Sequence, residues 1–352
     1  MWNLQNTMSD YDLKSGDKLN PKSILIWRIV QTLVWLLGVL ILFYLVFYPN
    51  VGIHLFWNIL IPIAPALFVV AVGVWRNVCP MASTALFPRH MGFSKRKTLT
   101  ITQAGKLNLI AIFALFVIVP LRHAIFDLNG LATVMLIMTM GLIAIIAGVF
   151  FEWKSAWCSG LCPIHPVEKL YGLNNRLSLP NAHCDKCYRC VTQCPDTTPG
   201  TTPLTSNKSI YHKITGFLMV GSFPGFIWGW FQVRDYNGIT GIEQLINIYL
   251  FPIIGSLITG LLFLILTRFF HEKTLVSIFS ASAVSCYYWF RLPALFGYGI
   301  YPGDGMLINL TGSLSELSMI IIQITATLLF FKWIVFSKEN RLSWVIRPNY
   351  AE

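Results

Sequence analysis

Seven of the eight cysteines fall in short runs that each end in Cys-Pro. The longest is Cys184-Asp-Lys-Cys187-Tyr-Arg-Cys190-Val-Thr-Gln-Cys194-Pro195. Its C-x2-C-x2-C-x3-C-P spacing is one that binds a [4Fe–4S] cluster. Thiolates two residues apart can wrap one face of a cubane while the backbone N–H groups between them turn toward its sulfurs. The fourth cysteine opens the next turn, and in two-cluster loops it serves the neighbouring cluster. Structural zinc and free thiols are the weaker alternatives for such a run.

Cys158-Ser-Gly-Leu-Cys162-Pro163 repeats the second half of that pattern. A spacing of i and i+4 puts both sulfurs on one side of a helical turn. Cys79-Pro80 is a third Cys-Pro context, and there Trp75 stands four residues before Cys79, so it reads as a C-x3-C-P whose first cysteine is missing. One division of ligands gives cluster one Cys184, Cys187, Cys190 and Cys162. Cluster two then holds Cys158, Cys194 and Cys79, with His183, His165, a carboxylate or nothing as its fourth ligand. A single cluster, with Cys79, Cys158 and Cys162 as plain thiols, stays open beside this. Lys186 and Arg189 would raise the potential of a cluster in the loop by stabilising its reduced, more negative state. Cys286 lies in an apolar stretch and reads as a small packing residue.

These residues must be positioned by an unusual chain. Of 352 residues, 55% are hydrophobic and only 12% charged, against about a quarter charged in soluble domains. The mean hydropathy is +0.62. This excludes an ordinary soluble protein and a disordered one, and clustered cysteines at this density exclude a disulfide scaffold. What fits is an all-α polytopic membrane protein of about eight transmembrane helices with a small ferredoxin-like iron–sulfur loop. The predicted spans are 29–48, 55–75, 107–126, 128–151, 214–233, 244–267, 274–298 and 305–336. With eight spans both termini share a side, and 23 of the 26 Lys and Arg fall there, leaving only Arg122, Arg234 and Arg291 opposite. The positive-inside rule puts that side in the cytoplasm. The net charge of +11 is then topology and contact with anionic lipid, and no nucleic acid is needed.

The predicted organisation is a cytoplasmic arm (1–28), helices one to four (29–151) with a Cys-Pro loop at 76–106, an iron–sulfur segment (152–212), helices five to eight (213–336) and a cytoplasmic tail (337–352). The polar first residues do not resemble a cleaved signal peptide. The basic tract from Phe87 to Lys97 reads as a solvated loop that could also hold anionic lipid, dock an acidic donor or cover the clusters.

Ionisable groups inside a membrane default to functional hypotheses. His54 and His123 fall at similar depth on the outer side, with Arg122 beside them. Two facing histidines would bind a b-type haem, with Arg122 at a propionate, or a quinone; the plainer reading is that they anchor helix ends. Arg291 and Glu316, inside spans seven and eight, would pair with one another or serve a proton or quinone site, or Arg291 would snorkel outward. No CxxCH haem-attachment site, Walker loop, G-x-G-x-x-G or HExxH occurs, which argues against a nucleotide-driven pump or a protease.

The order of these features resembles the membrane-bound polyferredoxins: a Cys-Pro after one span, Cys158-x3-Cys162-Pro163 after another, then the Cys184–Cys194 run in the same loop. It is similar to the quinol-oxidising iron–sulfur subunit of periplasmic nitrate reduction, the nitrous-oxide-reductase regulatory protein and the cytochrome-oxidase-assembly iron–sulfur protein. The likeness covers roughly residues 60–200. It implies an electron-transfer protein of the bacterial inner membrane, acting between a quinone pool or cytoplasmic donor and other subunits of a redox complex. An electron-transfer subunit, with no catalytic residue of its own, fits better than a stand-alone enzyme. A maturation factor for a metalloenzyme, or a structural subunit whose clusters do not turn over, are the alternatives.

Overall fold

The computed structural model describes residues 20–174, 179–186, 202–204, 209–236, 238 and 241–337. Among them the fold is helical throughout, with one isolated bridge joining Lys97 to Phe151. Helix α1 runs Pro21–Phe47, opened by Asn20, whose side chain accepts the Ser23 N–H, and by a proline in the first turn. Next come α2 (Pro49–Ile53), a π-helical stretch (His54–Leu60) and α3 (Ile61–Val78). Cys79 ends α3, and Pro80 begins α4 (Pro80–His90). Helix α5 (Ile101–Leu121) opens with a capping box made by Thr100 and Gln103, and continues into a π-helical turn (Arg122–Phe126). Helix α6 spans Gly130–Phe150.

A π-helical segment, Lys154–Leu161, then leads through Cys162 to the short α7 (His165–Tyr171). Helix α8 (Ile210–Phe217), a π-helical turn (Leu218–Ser222) and α9 (Phe223–Trp230) follow without a break. Helices α10 (Ile242–Leu266), α11 (Glu272–Leu295) and α12 (Glu316–Ile334) complete the bundle.

Six of the predicted spans coincide with helical intervals long and apolar enough to cross a membrane: Pro21–Phe47, Pro49–His90, Ile101–Phe126, Gly130–Phe150, Ile242–Leu266 and Glu316–Ile334. The fifth and seventh predicted places hold α8–α9 and α11, which fall short by composition. Both are walled in by other helices: Met219, Val220, Phe223 and Phe226 of the first and Phe279, Ala281, Val284 and Tyr288 of the second lie in one buried core with Phe68 and Leu170. A helix that meets protein rather than lipid can carry serines, glycines and tyrosines at little cost. The outward faces of α1 and α10 are bare apolar side chains, as lipid contact requires.

The last expected span, 305–336, is shortened. Its first third is loop, because Gly303 and Gly305 adopt positive φ, and the helix begins only at Glu316. Glu316 is therefore an exposed first-turn residue rather than a buried charge.

One close approach fixes the region of interest. A Cβ on Gly148 of α6 would sit 2.0 Å from the carbonyl oxygen of Ala85 in α4. No residue but glycine lets these two helices meet there.

Candidate functional site

Cys79 and Cys162 sit in two turns of one design. Each ends a helix with extended ψ, at φ −56 and ψ 115 for Cys79 and φ −71 and ψ 116 for Cys162. Each is followed by proline, whose missing N–H is harmless at a helix start. In each, the backbone N–H three residues on donates to the cysteine's own carbonyl, Ala82 to Cys79 and His165 to Cys162, and the N–H groups of this turn lie where they favour a charged sulfur. Paired N–H donors of this kind are what a sulfur carrying negative charge needs.

The helices entering the turns differ by one residue. The Cys79 N–H bonds the Trp75 carbonyl four residues back, but the Cys162 N–H bonds the Trp157 carbonyl five back. Aligned on those bonds, Trp75 matches Trp157, a residue of its own kind. The π-helical segment therefore carries one extra residue between Trp157 and Cys162, in the stretch that begins with Cys158. The sequence expectation set Trp75 opposite Cys158; by these bonds Trp75 stands opposite Trp157 instead, and the second turn is one residue longer. Single extra residues in helices recur at functional sites.

The turns come together. Cys79, Cys158 and Cys162 all pack against one buried cluster formed by Ala82, Ala85, Leu86, Ala144, Trp153 and Trp157. Cys158 lies within the electrostatic reach of both other sulfurs. Burial pushes the Cys162 thiol up to about 12 and the Cys158 thiol well above its ordinary value, with Lys154 only partly opposing it for Cys158. Left bare, both stay protonated at neutral pH, so a bound cationic centre is needed to hold them as thiolates.

Two ion pairs clamp the turns. Arg76, in the last turn of α3, meets Glu168 of α7 at 2.5 Å, with under a tenth of either side chain exposed. Burial raises the Glu168 carboxyl, but Arg76 and His165 outweigh it, so the net direction is downward. Arg89 of α4 meets Glu152 through two parallel bonds of 2.7 and 2.6 Å, buried on both sides. The tract that follows is exposed, as a solvated loop would be, but its backbone is tied down. Lys95 and Lys97 donate backbone bonds to Val149 and Phe150 at the end of α6, and the Lys95 ammonium lies over the Phe150 ring.

The long cysteine run begins beside these turns. Asn77, fully buried two residues before Cys79, donates to the carbonyls of Gly73 and Pro180 and accepts the Ala182 N–H. Asn181 then closes a tight turn, its backbone carbonyl accepting the Cys184 N–H and its side chain the His183 N–H. Cys184 is buried. Cys187, Cys190 and Cys194 lie outside the described residues.

No protein-family model matches the chain, and no curated protein or solved structure matches it. The reading of the site therefore rests on its residues.

Among the described residues, no three His, Cys, Asp or Glu side chains converge tightly enough to hold a single metal ion. A cubane cluster makes a different demand, since each thiolate binds a separate corner and the sulfurs stand farther apart. Half-buried thiols from separate segments, within electrostatic reach of one another, fit that demand.

The opposite end of the bundle holds the other predicted residues, in a different arrangement. His54 and His123 do not form a pair. His54 is exposed and bonds Asn58. Both ring nitrogens of His123 are engaged, Nδ1 with Asp235 at 2.6 Å and Nε2 with the Trp230 carbonyl at 3.0 Å, leaving none for a haem iron. Arg122 is buried, paired with Asp127 and held between the faces of Trp57 and Trp230. Arg291 does not pair with Glu316; its guanidinium donates to the Trp57 carbonyl and to Asn58. His123 and Arg291 border a cavity of about 40 Å³ that Asp235, Tyr301 and Asp304 also line, enough for a water or two but not for a quinone ring. Cys286 is a half-buried core neighbour, as expected.

Sequence reasoning missed Asn77, Glu152, Glu168 and Asp235. The usable signal was a polar residue flanking a Cys-Pro turn inside an apolar chain.

Proposed function

We propose that the chain is a membrane iron–sulfur electron-transfer protein of the polyferredoxin type. It relays electrons between a quinone pool or cytoplasmic donor and a partner redox complex of the bacterial inner membrane. In this reading the chain crosses the bilayer eight times, with both termini and the thiol-bearing end in the cytoplasm. The observation that supports it best is the meeting of the Cys79 and Cys162 turns against one buried wall, beside the start of the Cys184 run.

A [4Fe–4S] cluster, when bound, supplies one-electron chemistry. The chain's own part is to set its potential and keep it dry. The N–H donors of Met81, Ala82, Ile164 and His165 favour the more negative, reduced state. Burial of Trp153 and Trp157 against the thiols excludes water and works the other way. The Arg76–Glu168 and Arg89–Glu152 pairs hold the two turns at fixed separation, so the change of charge costs little rearrangement.

The deciding experiment is anaerobic purification of the full chain in detergent, with iron and acid-labile sulfide per chain and low-temperature EPR under dithionite and under quinol. About eight irons per chain means two clusters and about four means one. Colourless, iron-free protein overturns the reading, and zinc without iron replaces it with a structural zinc loop. A cluster reduced by dithionite but by no physiological donor supports a structural subunit instead.

A further inference from the structure

We infer that Cys184 belongs with the Cys-Pro turns. Cys79, Cys158, Cys162 and Cys184 form one four-thiol site built from three chain segments, and the remainder of the Cys184–Cys194 run serves separately. This rests on the iron–sulfur reading above. It departs from the division that spacing alone suggests, in which Cys184 shares a cluster with Cys187 and Cys190.

Two independent tethers carry the assignment. The first is Asn77. It is fully buried and spends its side-chain bonds, all between 2.8 and 2.9 Å, on closing its own helix at Gly73 and on seizing Pro180 and Ala182. A polar group with no exposure is tolerated only when its bonds are satisfied, so this contact fixes the incoming segment rather than decorating it. Asn77 is two residues from Cys79, and Ala182 is two residues from Cys184. The second tether is His183. Its ring meets the Trp153 ring edge-on at 5.8 Å. Trp153 belongs to the same buried cluster against which Cys79, Cys158 and Cys162 pack. Between the tethers, the Asn181 turn holds Cys184 inside, with only 6% of the residue exposed.

The donor count agrees. Aligned on its hydrogen bonds, the first turn supplies one thiol and the second supplies two, so the Cys-Pro turns bring three sulfurs to a centre that takes four. Cys184 is the next thiol along the chain, and His183 beside it meets the same wall at Trp153. A histidine is not needed to complete the set.

The test uses the intact, anaerobically purified chain with its clusters. The clusters are destroyed stepwise with ferricyanide and EDTA. Thiols released at each step are alkylated, and each cysteine's labelling is followed by mass spectrometry of its peptide. The expected result is that Cys184 becomes reactive in the same phase as Cys79, Cys158 and Cys162, apart from Cys187. Release of Cys184 together with Cys187 and Cys190 overturns the assignment, and so does release of all seven in one phase. Iron-free starting material, with every thiol reactive at once, overturns the proposed function as well, and the iron assay separates that case from the others.

A second readout needs no intact wild-type set. Cys184→Ser should abolish the same EPR signal as Cys79→Ser and spare the one lost in Cys187→Ser. If Cys184→Ser instead matches Cys187→Ser while the Cys79→Ser signal persists, the assignment is wrong.

Discussion

Arg89 and Glu152 face one another in a two-pronged ion pair at 2.7 and 2.6 Å, joining the helix after Cys79 to the strand-like approach to Cys158. The side chains are 3% and 2% exposed, so each charge depends on the other. Replacing one partner, in Arg89→Met or Glu152→Gln, should destabilise the chain by about 3–5 kcal/mol, because the survivor is left buried and unpaired. Replacing both with apolar residues should recover most of that loss. A double-mutant cycle on thermal unfolding in detergent measures it, and equal losses in the singles and the double would refute the pairing.

Asn77→Leu keeps the volume and removes the bonds to Pro180 and Ala182. The expected cost is on the order of 3 kcal/mol from backbone groups left without partners. Hydrogen exchange should rise at residues 181–184 well before it rises in α5 or α6. Unchanged protection there would show that Asn77 does not anchor the segment.

Gly148→Leu drives a side chain into the Ala85 carbonyl, whereas Gly141→Leu on the same helix meets nothing within 4 Å. The first should lower thermal stability sharply and make Cys79 and Cys158 accessible to alkylation; the second should be nearly neutral. Similar behaviour of the two variants would mean that the α4–α6 approach is not tight.

Glu168 carries a pH dependence whose sign is fixed by its direction of shift. Its carboxyl is held below the ordinary range, so its contribution to stability is complete above the unfolded value of about 4.3 and fades as acid protonates it. Thermal stability between pH 7 and pH 3 should therefore fall more steeply in wild type than in Glu168→Gln, which has already lost the Arg76 pair. Parallel curves would remove Glu168 from the account.

Because His123 spends both ring nitrogens, reduced-minus-oxidised spectra should lack a bis-histidine haem band in wild type and in His54→Ala alike. A haem band lost in either histidine variant would reinstate the haem reading.

The helical, membrane-crossing character was legible because hydrophobic runs of span length need no partner to be recognised. The Cys-Pro turns were legible because that spacing is local. Two things were not. The register between Cys79 and Cys162 depends on a hydrogen bond reaching five residues back instead of four, and no residue type announces it. The partners of Arg291 and His123 come from segments far away in sequence, so reading charges span by span paired Arg291 with Glu316 and missed Asn58 and Asp235.

The extra residue between Trp157 and Cys162 has a consequence for how such a turn can change. Swapping an amino acid at Trp75 would not turn the first bend into the second, because the two differ in length. Deleting Cys158 outright, by contrast, should restore the shorter winding and leave Trp157 where Trp75 stands in the other copy. The length of each bend is thus set by how many links enter it, and a gain or loss of one codon, rather than a point change, is the step that alters that length.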